Sequence, residues 1–165
     1  MRRVRFGSIS LMRRQAFLGT LILEVLAILG GCSDEPFSFV RVSGKITYAD
    51  GSLIPGERIV VQFIPIEAKT SGKRVAGGAT GYLNPQDGTF SSLTTHKPQD
   101  GAVPGRYKVV VIAFQKHPQG EVLTKAVPPQ YHRAESTPLE VEVSPSSRSF
   151  ALTIEKPGPR GSDGT

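Results

Sequence analysis

The chain has no tryptophan, a single cysteine (Cys32) among 165 residues, and aromatic residues at only 7 %. A lone cysteine excludes an internal disulfide and leaves no C-x-x-C pair for a metal, so packing and hydrogen bonds must hold the fold. No apolar run reaches the ~20 residues that a membrane-crossing helix needs. The longest, Ala16 to Leu29, has 14 residues and carries Glu24 inside it. Beyond Cys32 no segment shows the 3.6-residue periodicity of an amphipathic helix, which excludes bundle architectures.

The formal charge is +6, and a basic chain ordinarily raises nucleic acid or an anionic surface as a partner. The excess is local. Arg2, Arg3, Arg5, Arg13 and Arg14 precede Cys32 with Glu24 as the only acid, so the remainder holds 15 bases against 13 acids, a balance of +2. That remainder lacks a Lys/Arg run interleaved with aromatics, so no nucleic-acid partner is expected.

The first thirty-one residues read as an export signal. A basic lead, an apolar stretch and the small residues Gly30 and Gly31 before Cys32 are the three parts of a secretory signal peptide. The tetrapeptide Leu29-Gly30-Gly31-Cys32 resembles the lipobox of bacterial lipoproteins. That resemblance implies cleavage before Cys32, with Leu29, Gly30 and Gly31 read as the recognition and cleavage residues, and lipid attachment on the Cys32 thiol. It also accounts for a lone cysteine in an oxidising compartment. A diacylated or triacylated cysteine would be a stable anchor, since each buried methylene contributes ~0.8 kcal/mol and one chain is not enough. Ser33 rather than aspartate after the cysteine resembles the enterobacterial signal for the outer membrane over the inner one. Arg13-Arg14-Gln15-Ala16-Phe17-Leu18 looks like a loose twin-arginine signal, but paired arginines are ordinary in basic leads, so the general secretory route is expected.

The rest of the chain reads as strands. Val40, Val42, Gly44, Ile46 and Tyr48 share one parity, with Arg41, Ser43, Lys45 and Thr47 on the other, a strand with one wet face. Asp50-Gly51 supplies a turn and Ile59, Val61 and Phe63 alternate again, so these two strands are expected to form a hairpin. A poorly patterned strand follows near Ala79 to Leu83, then a Pro85-Gln86-Asp87-Gly88 turn and a strand from Thr89 to Thr95. Tyr107 to Phe114 is apolar at both parities and predicts a central strand covered on both faces. The excursion over 115–138, with Pro118, Pro128, Pro129 and Pro138, is not helical throughout. Leu139, Val141 and Val143, then Phe150, Leu152 and Ile154, give two last alternating strands. The expected organisation is a signal peptide over 1–31, a lipidated cysteine and tether over 32–37, one domain over 38–155 and a disordered tail over 156–165. The fold class is all-β, a single antiparallel β-sandwich of about seven strands.

Val42-Ser43-Gly44-Lys45-Ile46-Thr47-Tyr48-Ala49-Asp50-Gly51, Pro55-Gly56 before a strand ending Phe63-Ile64-Pro65, Asp87-Gly88-Thr89-Phe90 and Val103-Pro104-Gly105-Arg106-Tyr107-Lys108-Val109 follow in an order that resembles transthyretin-like or carboxypeptidase regulatory-like domains. Val127-Pro128-Pro129-Gln130-Tyr131 and Leu139 to Val143 are similar to the end of small lipoproteins of this type in planctomycete-like bacteria. The resemblance spans about residues 38–155. It implies a seven-stranded sandwich that binds, spaces or supports, tethered to a membrane by its N-terminal lipid, with an envelope protein or a glycan as partner.

No catalytic constellation stands out. His96, His117 and His132 lack metal-ligand spacing, nothing such as G-x-S-x-G singles out a serine, and neither a metal nor a cofactor is expected. The acids Glu121, Glu135, Glu140 and Glu142 suggest calcium, but Glu140 and Glu142 alternate outward on a strand and read as a solvated face. Transthyretin-like folds include 5-hydroxyisourate hydrolase, whose C-terminal Tyr-Arg-Gly-Ser is similar to Arg160-Gly161-Ser162. Here Pro159 replaces the tyrosine and no histidine lies near Ser43 to Lys45, so general acid/base chemistry lacks a proton carrier. Tyr48 and Tyr107 share the parity of core residues, which leaves Tyr82 and Tyr131 as the ligand-contacting candidates for an aromatic sugar platform.

Overall fold

The computed structural model describes residues 36–158. Leu29, Gly30, Gly31 and Cys32 lie outside the described residues, as do the rest of the signal-like segment and the tail from 159. Within 36–158 the chain is all-β, with ten strands, one short 3-10 turn and no α-helix. No helix there is long and apolar enough to cross a membrane. The strands are β1 (Ser43–Tyr48), β2 (Arg58–Pro65), β3 (Thr70–Ser71), β4 (Arg74–Val75), β5 (Ala79–Leu83), β6 (Thr89–Phe90), β7 (Gly105–His117), β8 (Gly120–Leu123), β9 (Glu140–Val143) and β10 (Ser149–Ile154).

They make a three-stranded sheet in the order β10-β1-β6, a five-stranded sheet in the order β5-β2-β7-β8 with β9 also on β7, and a small β3-β4 ribbon. All ladders are antiparallel except β1 with β10, which is parallel from Ser43↔Ser149 to Tyr48↔Ile154. The alternation of β1 is realised in the burial of Val42, Ile46 and Tyr48 and the exposure of Arg41 and Lys45.

The expected β1–β2 hairpin does not form: β1 pairs β10 and β6, whereas β2 pairs β5 and β7. The Asp50-Gly51 turn is present, with the Ser52 N–H donating to Asp50 Oδ1 (3.1 Å) and the Gly51 N–H to Tyr48 O (2.9 Å). Beyond it the chain keeps going. Ile54 is buried in the core and Pro55 has no N–H for a returning ladder, so the connection crosses from one sheet to the other. The expected strand over 89–95 is likewise divided. Only Thr89 and Phe90 pair, with Lys45 and Gly44 of β1, after which Leu93 turns into the core and Thr94 bridges Thr80 of β5.

β7 is central. One side pairs β2 from Arg58↔Phe114 to Pro65↔Tyr107, and the other is shared by β9 at Gly105 to Lys108 and β8 at Phe114 to His117. The gap between them is filled by the proline-rich excursion: Thr124 N–H donates to Ala113 O, Val109 N–H to Leu139 O, and the buried Thr137 hydroxyl to Val109 O (2.8 Å). Phe63 of β2 ties the two main sheets together, its ring 6.0 Å from Phe90, 6.0 Å from Tyr107 and 6.2 Å from Phe150. Gly44 permits this approach: a Cβ there would stand 2.3 Å from Phe150 O and 2.8 Å from the Phe90 ring.

Candidate functional site

Directly opposite residues on neighbouring strands share a face, so the register of the five-stranded sheet sets Tyr82, Val60 and Ile112 in one row and Arg58, Phe114 and Leu123 in the next. Tyr82 is 61 % exposed and Leu123 49 %, and Phe114 is half-buried. Arg58 lies over this apolar face. Its guanidinium is 4.4 Å from the centroid of Phe114 and 6.0 Å from that of Tyr82, distances at which the ring quadrupole attracts a cation. It also grips Glu121 as a fork: Nε donates to Oε1 at 2.8 Å and a terminal nitrogen donates to Oε2. Hydrogen bonding to Glu121 raises the Arg58 pKa, and the same bond lowers that of Glu121.

A second feature lies beside the excursion. The 3-10 turn Pro129–His132 starts from Pro128, whose carbonyl accepts from the Tyr131 N–H at 3.0 Å. Leu123, Val127, Pro128, Pro129, His132 and Lys156 line an open groove of about 640 Å³. His132 Nε2 is buried there without a hydrogen-bond partner.

The sequence candidates fare differently. Tyr82 is on the surface as expected, while Tyr131 is 3 % exposed and belongs to the core. The turn drives its ring inward, and its hydroxyl accepts from the Glu155 N–H at 3.1 Å. A platform of Tyr82 with Tyr131 is therefore not available, because a buried ring cannot stack on a sugar. Tyr48 and Tyr107 are buried, their hydroxyls donating to Ala126 O (2.6 Å) and Val103 O (2.5 Å). Of the acids weighed for calcium, Glu121 is committed to Arg58 and Glu140 to Lys108 at 2.6 Å. No group of three or more His, Cys, Asp or Glu among the described residues is arranged to hold a metal ion. His96 is spent on Phe37 and Phe39, at centroid distances of 6.5 and 5.8 Å. Arg160, Gly161 and Ser162 lie outside the described residues.

Sequence reasoning missed Arg58, whose partners Phe114 and Glu121 are 56 and 63 positions away. The signal was there only in hindsight of register: β2 and β7 had each been legible, but not which residue faced which. No family model, no curated protein and no solved structure matches the chain.

Proposed function

We propose that this chain is a lipid-anchored lipoprotein of the bacterial cell envelope, whose domain is a mainly antiparallel, transthyretin-like β-sandwich acting as a non-catalytic binding or structural module. The observation that carries the reading is Leu29-Gly30-Gly31-Cys32, which ends an export-type segment and contains the only cysteine of the chain. The all-β domain follows it in the sequence, with Val40 bridged to Ala102 and the first strand at Ser43–Tyr48. Signal, anchor, short tether and domain thus follow one another in the order a secreted lipoprotein requires. The sandwich part of the reading is supported by Phe63, which reaches from the five-stranded sheet to Phe90 and Phe150 of the three-stranded one. The anchor holds the domain on the outer side of a membrane, and Ser33 favours the outer membrane.

The test is the intact mass and membrane partitioning of the full chain and of Cys32→Ser, expressed in a bacterial host. The expected product starts at an acylated Cys32 and partitions with membranes, and Cys32→Ser loses both properties. A soluble product cut elsewhere, or a chain retaining residues 1–31, would overturn the anchor.

One observation favours a second reading, an envelope module that binds carbohydrate. Tyr82 presents an exposed ring on a sheet face beside the hydrogen-bonding groups of Arg58 and Glu121, the combination of flat apolar surface and planar polar groups that sugars use. Binding on a glycan array that Tyr82→Ala abolishes is the expected outcome under that reading; binding unchanged by Tyr82→Ala removes it.

A further inference from the structure

Between β2 and β5 the chain makes a small basic ribbon. Ser71 pairs with Arg74, which leaves Gly72 and Lys73 as the loop between β3 and β4. Gly72, with φ 59°, takes the first of the two loop positions, the one that a type II′ hairpin fills with glycine. Lys73 therefore stands at the tip, flanked by Lys69 and Arg74, and all three are exposed. At the base of the ribbon the Ala76 N–H donates to Lys69 O (2.8 Å) and the Ile66 N–H to Arg106 O of β7 (3.0 Å). The Lys69 side chain passes over the start of β7, where a Cβ on Gly105 would stand 3.5 Å from its Cε.

The chain enters the domain at this same end. Val40 exchanges backbone hydrogen bonds with Ala102 at 2.8 and 2.9 Å, and Val103 and Pro104 then lead to Gly105 beneath Lys69. Arg41 follows the entry point, and Arg148 precedes β10, its carbonyl accepting from the Ser43 N–H at 3.0 Å. Both are exposed, and neither they nor the cations of the ribbon have an ion pair among the described residues. The acids of this end are occupied. Arg106 holds Glu67 at 3.0 Å and stands opposite Glu142 in the ladder, and Asp100 accepts from three backbone amides. The opposite end carries Asp50, Glu57, Asp87 and Glu121, with Lys156 on Asp50 and Arg58 on Glu121. Unanswered positive charge thus gathers where the chain enters.

We propose that Lys69, Lys73 and Arg74 of this ribbon dock the domain on the anionic lipid headgroups of the membrane that holds its anchor. The inference rests on the lipid anchor proposed above, and the tether selects the occupant. Cys32 lies only four residues before Pro36, a reach of at most roughly 14 Å, so the end of the domain that Val40 enters is the end kept near the bilayer. Attraction to lipid phosphates acts within a Debye length of about 8 Å at physiological salt. A lipid tether makes the contact intramolecular, so an attraction too weak to hold an unanchored chain is enough to orient an anchored one. Val75, exposed beside Arg74, adds an apolar contact at the headgroup level. The opposite end, with Tyr82 and the Arg58–Glu121 pair, is then turned away from the membrane.

The experiment uses the full chain, expressed in a bacterial host, purified in detergent and reconstituted into vesicles of phosphatidylcholine alone or of equimolar phosphatidylcholine and phosphatidylglycerol. A fluorophore is placed on Thr70→Cys in the ribbon or on Gln86→Cys in the turn before β6, both exposed positions, and is quenched by a headgroup spin-labelled lipid. The expected result is strong quenching at residue 70 in the anionic vesicles, little in phosphatidylcholine, and little at residue 86 in either. Lys69→Glu, Lys73→Glu and Arg74→Glu together are expected to lower the docking equilibrium at least about tenfold, since each basic residue near an anionic surface contributes roughly fivefold. About 0.5 M sodium chloride is expected to release the unaltered chain in the same way, with no substitution to disturb the fold. Quenching at residue 70 that ignores lipid charge, salt and the three reversals, or that is matched at residue 86, overturns the docking and leaves the anchor standing, provided the chain floats with phosphatidylcholine vesicles. Flotation with the anionic vesicles alone overturns the anchor and keeps the ribbon contact, and flotation with neither overturns both.

Discussion

Asp100 organises the loop that joins β6 to β7 through one carboxylate. Its Oδ1 accepts from the Thr95 N–H at 2.7 Å, and its Oδ2 accepts from the His96 and Lys97 N–H groups at 2.9 and 2.8 Å. The chain around it is tightly bent: Gln99 has φ 61°, the only positive φ of a non-glycine among the described residues, and Gly101 has φ 104°. Burial acts to raise the pKa of Asp100, and the amides of Thr95, Lys97 and His96 outweigh it, so the net shift is downward. A carboxylate whose folded pKa lies below its unfolded value of about 3.9 contributes stability that is complete above that value. The contribution is lost as the pH falls through the folded value. Asp100→Ala is therefore expected to lower the unfolding free energy by roughly 2 kcal/mol near neutral pH, as for hydrogen bonds to a charged acceptor. Urea denaturation should find the gap between parent and variant narrowing as the pH is lowered below about 3.9, toward the depressed folded value. A gap independent of pH would mean that the carboxylate charge does not hold the loop. Tyr131 teaches a related lesson: a lone tyrosine between prolines looks like a surface residue, and only the turn that directs its ring to the core shows otherwise.

At the scale of elements, strands that alternate or run apolar were legible because burial acts on each residue separately. β1, β2, β7, β9 and β10 lie where the period-two pattern or the apolar run over 107–114 places them, and β5 coincides with the poorly patterned strand expected near Ala79 to Leu83. Partners were not legible, because pairing depends on where the chain goes after a turn. Asp50-Gly51 makes a turn with the chemistry of a hairpin, yet the chain beyond it carries Ile54 into the core and does not return along β1. The parallel β1–β10 ladder joins segments about a hundred residues apart, and no local signal encodes that. The same limit applies to the exposed cluster. Tyr82 was visible as a ring left over after the core was assigned, but Arg58 over Phe114, held by Glu121, is a product of three strands in register. The short β8, with Val122 and Leu123 exposed, passed for loop because four residues bounded by Gly120 and a proline-rich stretch carry too little pattern.

At the scale of the whole molecule, the two main sheets contribute to one apolar core. Phe63 is its centre: fully buried on β2, it meets Tyr107 within its own sheet and Phe90 and Phe150 from the other. Replacing a buried Phe by Ala costs about 3–5 kcal/mol, from the lost transfer free energy and the cavity left behind. Domains of this size have only about 5–15 kcal/mol in total. Phe63→Ala is thus expected to consume a large share of the stability, and the loss falls on both sheets because the cavity opens toward both. Native-state hydrogen exchange provides the check. Slow amides of β1 in the three-stranded sheet and of β7 in the five-stranded sheet should lose protection together and by the same factor. Equal loss is what a single cooperative core requires. Loss confined to β2, β5 and β7, with β1 and β10 as protected as before, would mean that the three-stranded sheet draws its stability from elsewhere, and the sandwich reading would fail with it.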